Sequence, residues 1–330
     1  MLNGHGDDLY RYSDIDFNFS SNILGGVDHS ALMRHLADRG SLLSSYPDPD
    51  ASSLVRRLGP DGCVEVTAGA TEAIYLLALA HRGARSAILS PTFREYEDAC
   101  RIHAHTVRYI SSISEISGED MVWLCNPNNP TGRVTPHRIL VDTIRSNPST
   151  LFVIDQAYAP YTLMPVISDS EAISAGNVVL LSSLTKRYSV PGLRIGYAVG
   201  SPGIIERIHA MRMPWSVNAI ALEAAHWLLN HSDSYTIDAD GLHAQAQELA
   251  AKLRLAGVEV QHTDCNFILC RLPGALSASS MKEWLAIRHK TLIRDASNFR
   301  GLTQAHFRVA AQTPAQNSRL AEAIAEFLHL

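Results

Sequence analysis

From about residue 62 the chain repeats one pattern: a short apolar run, a polar turn, then an amphipathic stretch. The apolar runs are Val64–Thr67, Ala87–Leu89, Met121–Leu124, Leu151–Ile154, Val178–Leu181 and Ile195–Val199. Runs of this length bounded by turn residues predict buried, mostly parallel strands joined by helical crossovers. Helices are predicted over 71–81, with Thr71 as N-cap, and over 93–103 and 138–146. Helices then dominate to about 256, over 202–213, 218–230 and 244–256. Strands are expected near 258–261, 267–271, 292–294 and 306–310, and a closing helix over 314–328. Ahead of the repeat lie an irregular segment to about 30, a polar helix over 29–38, and a loop at Ser44–Asp50, where two prolines and two aspartates favour turns. The whole reads as an α/β domain followed by a smaller α+β unit. The expected division is 1–35 as an arm contributing to the small domain, 36–224 as the large domain and 225–330 as the small one.

Composition narrows the function classes. With 330 residues, 46% hydrophobic, the chain can bury a sizeable core. A net charge of -5 and the lack of any Lys/Arg run give no reason to expect nucleic acid or an anionic membrane as partner. Cys63, Cys100, Cys125, Cys265 and Cys270 form no Cys-x-x-Cys pair, so they are read as buried apolar residues in a reducing compartment, and no metal is expected. The first 21 residues carry Asp7, Asp8, Asp14 and Asp16 and no apolar segment, which argues against a signal peptide. A cytoplasmic location follows as an expectation.

The chemistry-bearing residues fall where such sheets place their ligands, just beyond the carboxyl ends of the strands. Asp155 ends a wholly apolar strand, where a carboxylate is costly without a cationic partner. Gly69-Ala70-Thr71 opens a helix, whose N–H groups and dipole suit a phosphate. Ser183-Leu184-Thr185-Lys186 carries a lysine amid hydroxyls, and Ser183 and Arg194 can both reach an anion. Phe93 can stack on a flat ring. Taken singly, each also fits a bland role: Lys186 and Arg187 as solvated loop charges, Asp155 as a strand-end cap, Phe93 as a core aromatic, Trp215 as filler at a domain junction.

Jointly, Asn126-Pro-Asn-Asn-Pro-Thr-Gly132, Asp155-x-x-Tyr158, Ser183-x-Thr185-Lys186 and Gly192-Leu-Arg194-x-Gly196 resemble the fold-type-I pyridoxal-phosphate (PLP) enzymes, in the spacing of the histidinol-phosphate aminotransferase branch. The resemblance implies an aspartate-aminotransferase-like fold, with a mostly parallel seven-stranded sheet flanked by helices plus a smaller α+β domain. It implies PLP as cofactor, with Lys186 as the imine lysine, Asp155 at the pyridine nitrogen, and Asn129 and Tyr158 at the phenolic oxygen. Ala70, Thr71, Ser183 and Arg194 would hold the phosphate. Tyr46 would reach the cofactor of a neighbouring subunit, making a homodimer with shared active sites. Arg308 matches the arginine that grips the substrate α-carboxylate. Within the branch, the segment Ser183–Tyr197, Pro214-Trp-Ser-Val-Asn218, Ile293–Leu302 and His5-Gly6 are similar to the threonine-phosphate decarboxylases of cobalamin biosynthesis. That implies loss of carbon dioxide from L-threonine O-3-phosphate to give (R)-1-amino-2-propanol O-2-phosphate, with His5, Asn22, Arg294 and Arg308 sharing the substrate's anions. Two positions depart from the pattern: Asp7 follows His5-Gly6, and Gln156 stands where a Glu is usual. An aminotransferase acting on a phosphorylated substrate such as histidinol phosphate remains the alternative, because both reactions use one scaffold. Which arginine holds which anion also stays open.

Overall fold

The computed structural model describes residues 8–330. His5 therefore lies outside the described residues. The seven strands of the large sheet are β1 (Val64–Thr67), β2 (Arg85–Leu89), β3 (Thr106–Ile110), β4 (Met121–Cys125), β5 (Leu151–Asp155), β6 (Val178–Ser183) and β7 (Gly196–Gly200). Their order across the sheet is β1-β7-β6-β5-β4-β2-β3, with only β7 antiparallel to its neighbours.

The continuous apolar runs follow from burial on both faces. Val122 and Leu124 point into one hydrophobic cluster with Phe152 and Ile154, while Met121, Trp123 and Cys125 point into the other with Leu151 and Val153. The two-residue period carries Asp155 onto that second face, beside Cys125 and Tyr96. Helix Ala219–Asn230 packs its Ala221, Leu222, Ala225 and Leu228 into the first cluster, together with Tyr235.

A smaller antiparallel sheet follows, made of β8 (Glu259–Val260), β9 (Phe267–Arg271), β10 (Arg294–Asp295) and β11 (His306–Ala310), in the order β10-β11-β9-β8. It shares a third cluster with helices Ala239–Leu255, Ala278–His289 and Pro314–Leu328. Phe17–Asn18 pairs in parallel with Thr291–Leu292, and Phe19 is buried in this same cluster. No helix among the described residues is long and apolar enough to cross a membrane.

Several elements differ from the expectation. Strand β3 and helices Ser52–Leu58, Asp169–Ala175 and Ala278–His289 were not anticipated. β3 is an edge strand whose exposed and covered residues alternate, so it has no continuous apolar run. The strand expected over 292–294 breaks at Ile293 into two short pieces serving different sheets. The helix expected from 71 begins at Ala70 behind Gly69, and no side chain caps it. The helix expected from 93 begins at Glu95, which leaves Phe93 on the preceding turn.

Candidate active site

The carboxyl ends of β1, β2, β4, β5 and β6 open into one cavity of about 290 Å³. Twelve of the fourteen residues singled out from sequence line it: Asn22, Ala70, Thr71, Phe93, Asn129, Asp155, Tyr158, Ser183, Lys186, Arg194, Arg294 and Arg308. His5 is not described. Tyr46 lies elsewhere on the surface, 85% exposed, tilted against Trp215 with ring centroids 5.4 Å apart.

The cavity has a deep acidic end. Asp155 is buried and accepts hydrogen bonds from the Tyr96 hydroxyl (2.8 Å) and the Ala157 N–H (3.0 Å). Burial pushes its carboxyl up from the ordinary value, and the Ala157 N–H, the Tyr96 hydroxyl and the Lys186 charge do not cancel that push. A cationic ring nitrogen is the kind of partner that would. Tyr96 was missed in the sequence, although it sits three residues beyond Phe93, against which its ring packs edge-on.

Lys186 lies on a one-turn helix, Leu184–Arg187, directly after β6. Its Nζ is 5.7 Å from the centre of the Tyr158 ring. The Tyr161 hydroxyl donates to the Lys186 carbonyl and so fixes the turn that carries it. Tyr158 is buried edge-on to Phe267 (4.9 Å), and burial raises its hydroxyl well above the usual range, opposed by the Arg308 charge.

At the anion end, Arg194 adopts a left-handed backbone (φ 55°), and its guanidinium reaches the start of helix Ala70–Ala80. A Cβ on Gly69 would come within 2.9 Å of Arg194 Nη2, at a φ of +85° that disfavours side chains. On Gly196 a Cβ would be 2.7 Å from both the Ala70 nitrogen and the Ser182 carbonyl. Two glycines thus let a helix N-terminus, an arginine and a strand converge, which suits a phosphate.

The opposite wall comes from the small sheet. Arg308 Nη2 donates to the Ser20 carbonyl at 2.6 Å and Nη1 to Asn129 Oδ1. Arg294 Nη2 donates to Asn298 Oδ1 at 2.8 Å. Asn22 is buried against the Tyr158 hydroxyl, and among the described residues neither of its side-chain amide atoms has a partner in a hydrogen bond of normal geometry. A polar ligand group would satisfy it. Gln156 turns away, donating to the Ile167 carbonyl at 2.9 Å. Asn218 instead caps helix Ala219–Asn230 by accepting from the Ala221 N–H.

The donor set fits PLP. A buried carboxylate faces a ring-sized gap beside Phe93, a lysine stands within it, and an arginine and a helix start await an anion. A sheet of this order, with that lysine and carboxylate at the ends of its parallel strands, defines an α/β enzyme of aminotransferase type. Residues 18–324 match the model of aminotransferase class I and II, and the chain belongs to that family, whose members use PLP. It is similar to L-threonine-O-3-phosphate decarboxylase from Porphyromonas gingivalis, with 37% identity, a TM-score of 0.92, and coverage of 95% of this chain and 100% of that one. It is 29% identical to the threonine-phosphate decarboxylase of Salmonella typhimurium, over 95% of this chain and 91% of the relative. The fold is also shared with histidinol-phosphate aminotransferase from Sinorhizobium meliloti in complex with pyridoxal-5'-phosphate, at 18% identity, a TM-score of 0.83, and 96% and 91% coverage.

Proposed function

We propose that this chain is a PLP-dependent threonine-phosphate decarboxylase of cobalamin biosynthesis, converting L-threonine O-3-phosphate into (R)-1-amino-2-propanol O-2-phosphate. The observation that carries the reading is the cavity itself: one wall suits the cofactor, and the other presents two buried arginines, enough for a substrate with two anionic groups. The near-full-length likeness to two threonine-phosphate decarboxylases supports the same choice.

Lys186 would hold the cofactor's aldehyde carbon, Asp155 its ring nitrogen, Asn129 and Tyr158 its phenolic oxygen, and Ala70, Thr71, Ser183 and Arg194 its phosphate, with Phe93 against the ring. Bound there, PLP supplies an electron sink for the pair released when a bond to the substrate's α-carbon breaks. The net reaction breaks the bond between that carbon and the carboxylate, releases carbon dioxide and adds one proton at the α-carbon. The protein chooses which bond breaks by orientation. Arg308, held by Asn129 and the Ser20 carbonyl, is fixed enough to aim the α-carboxylate. Arg294, His5 and Asn22 would take the phosphate. Lys186 Nζ would carry the proton to the α-carbon.

The chain would act as a homodimer, with Tyr46 completing the partner's cofactor site. Of the three parts expected from sequence, the arm would divide: Phe17 and Phe19 would travel with the small domain, while Val27 and Leu32, packed into the first cluster, would travel with the large sheet, as would the segment to Tyr235.

Turnover decides between reactions. Purified enzyme with added PLP should release carbon dioxide from L-threonine O-3-phosphate. Consumption of 2-oxoglutarate with histidinol phosphate, and no carbon dioxide from threonine phosphate, would instead establish the aminotransferase. Borohydride should link the cofactor to Lys186, and labelling that persists in Lys186→Ala would remove that residue from its role.

A further inference from the structure

Arg300 follows Asn298 and Phe299, both of which line the cavity, yet it turns outward to the large domain. Its Nη2 donates to Glu97 Oε1 at 2.8 Å and its Nε to Oε2 at 3.2 Å, a fork onto a carboxylate 203 residues earlier. Its guanidinium carbon also sits 3.8 Å from the centre of the Tyr109 ring on β3. Glu97 is almost fully buried and takes a second ion pair from Arg101 at 2.7 Å. Burial alone would raise the Glu97 carboxyl, but the hydrogen bonds and charge of Arg300, with Tyr109 and Arg101, hold it below its ordinary value. An ion pair that is forked, covered on one side and stacked on a ring is geometrically specific in a way that a loose surface pair is not.

The two ends of this bridge are not arbitrary. Glu97 lies on helix Glu95–Ile102, which also carries Tyr96, the hydroxyl partner of Asp155. Arg300 ends the turn whose Asn298 accepts from Arg294. Backbone hydrogen bonds of that turn close on itself or on β11, through Phe299 N–H to the Ala296 carbonyl, Leu302 N–H to the Phe299 carbonyl and Ala296 N–H to the His306 carbonyl. Among the described residues, these backbone bonds shape the turn without tying it to the other wall.

We propose that the Arg300–Glu97 bridge is a positioning latch: it locks the Asn298 turn against the Asp155 wall, so that Arg294 is held where the substrate's phosphate arrives. The latch touches neither substrate nor cofactor, and its assignment rests on the reading that Arg294 receives phosphate.

The test uses the full-length, cofactor-loaded enzyme and the variants Arg300→Met, Glu97→Gln and Arg300→Lys. The readouts are KM and kcat for L-threonine O-3-phosphate, the affinity for inorganic phosphate by calorimetry, and the cofactor's absorbance as a check on folding. Arg300→Met and Glu97→Gln should raise KM and weaken phosphate binding about tenfold, as expected when an anchoring group drifts by a fraction of an ångström. Their kcat should stay within about twofold of wild type, since the bond-breaking geometry is set by other residues. Arg300→Lys, which keeps the charge and loses the fork, should fall between them and wild type, and it serves alone if Arg300→Met does not fold. Unchanged KM and phosphate affinity in variants with normal absorbance would overturn the latch, as would a fall in kcat at constant KM. If the wild type releases no carbon dioxide but phosphate affinity still falls in the variants, the latch stands and only the decarboxylase reading is lost.

Discussion

Arg294 and Arg308 stand directly opposite one another on adjacent antiparallel strands, as cross-strand Cα partners of β10 and β11. Both are almost fully buried, and both line the same cavity. Like charges opposite each other on one sheet face are unfavourable, and burial aggravates this. Burial pulls the Arg294 guanidinium below its ordinary value, with only partial relief from Asp295 and Asp8. Such a pair persists where anions are received.

The two arginines should therefore separate in their effects. Arg294→Met removes a buried charge, so the ligand-free protein should melt no lower than wild type. Its kcat/KM for L-threonine O-3-phosphate should nevertheless fall about a hundredfold, the usual scale for losing a buried charged contact. Its preference for that substrate over unphosphorylated L-threonine should largely vanish. Arg308→Lys should lower kcat/KM for both substrates alike, because an ammonium lacks the planar fork that spans Asn129 and the Ser20 carbonyl and offers a bidentate edge to a carboxylate. Equal discrimination in both variants would mean that the anions are not divided this way.

Asp155 sets a pH dependence that appears without cofactor. Its folded carboxyl lies above the ordinary value of about 3.9, so the protonated form is favoured by folding. That contribution is present at pH below the ordinary value and is lost as pH rises through the raised folded value. Relative to Asp155→Asn, the cofactor-free wild type should therefore lose stability from about pH 4 upward. Melting temperatures of the two proteins across that range measure the difference, and other titrating groups cancel from it. A flat difference would mean that Tyr96 and Lys186 already balance the buried charge.

Gly132 couples the Asn126–Gly132 loop to the small sheet. It has a φ of +71°, and a Cβ there would fall 2.0 Å from Thr263 Oγ1 and 2.8 Å from the Phe267 carbonyl. The same contact is tied by the Asp264 N–H to the Gly132 carbonyl (2.9 Å) and the Val134 N–H to Asp264 Oδ2 (2.8 Å). Gly132→Ala should cost about 2–4 kcal/mol in chemical denaturation, from backbone strain and overpacking together. Adding Thr263→Ala should recover only part of it, because the Phe267 carbonyl is backbone and cannot be trimmed.

The site was legible because its residues are anomalies against apolar strands. Asp155 is a carboxylate where five buried positions run together, and Lys186 follows a strand buried for four. Tyr96 escaped notice because an aromatic on a helix beside a core is unremarkable until its hydroxyl is seen on Asp155. The facing of Arg294 and Arg308 could not be read either, since antiparallel register is set by distant pairing and not by local spacing. β3 was missed for a related reason: an edge strand with one wet side lacks the apolar run that marked its neighbours.

Tyr46 raises the question of a partner most directly. It is 85% exposed and outside the cavity, yet the loop carrying it is firmly held. Arg212 donates to the Pro49 carbonyl (2.9 Å) and to Asp50 (2.8 Å) while pairing with buried Glu65, and Trp215 Nε1 donates to the Pro47 carbonyl (3.1 Å). A pinned loop that offers an aromatic ring to solvent, with exposed Leu43 and Met213 as further apolar surface, is what a second copy of the chain would cover. If Tyr46 serves the partner's site, a subunit lacking Lys186 can still lend its Tyr46. Lys186→Ala should be inactive alone and Tyr46→Ala weakened. Subunit exchange between the two should then create mixed dimers with one intact site each, raising activity towards about one quarter of wild type per site. Activity of the mixture equal to the sum of its parts, measured after exchange is verified by tagged pull-down, would mean that Tyr46 does not cross between subunits.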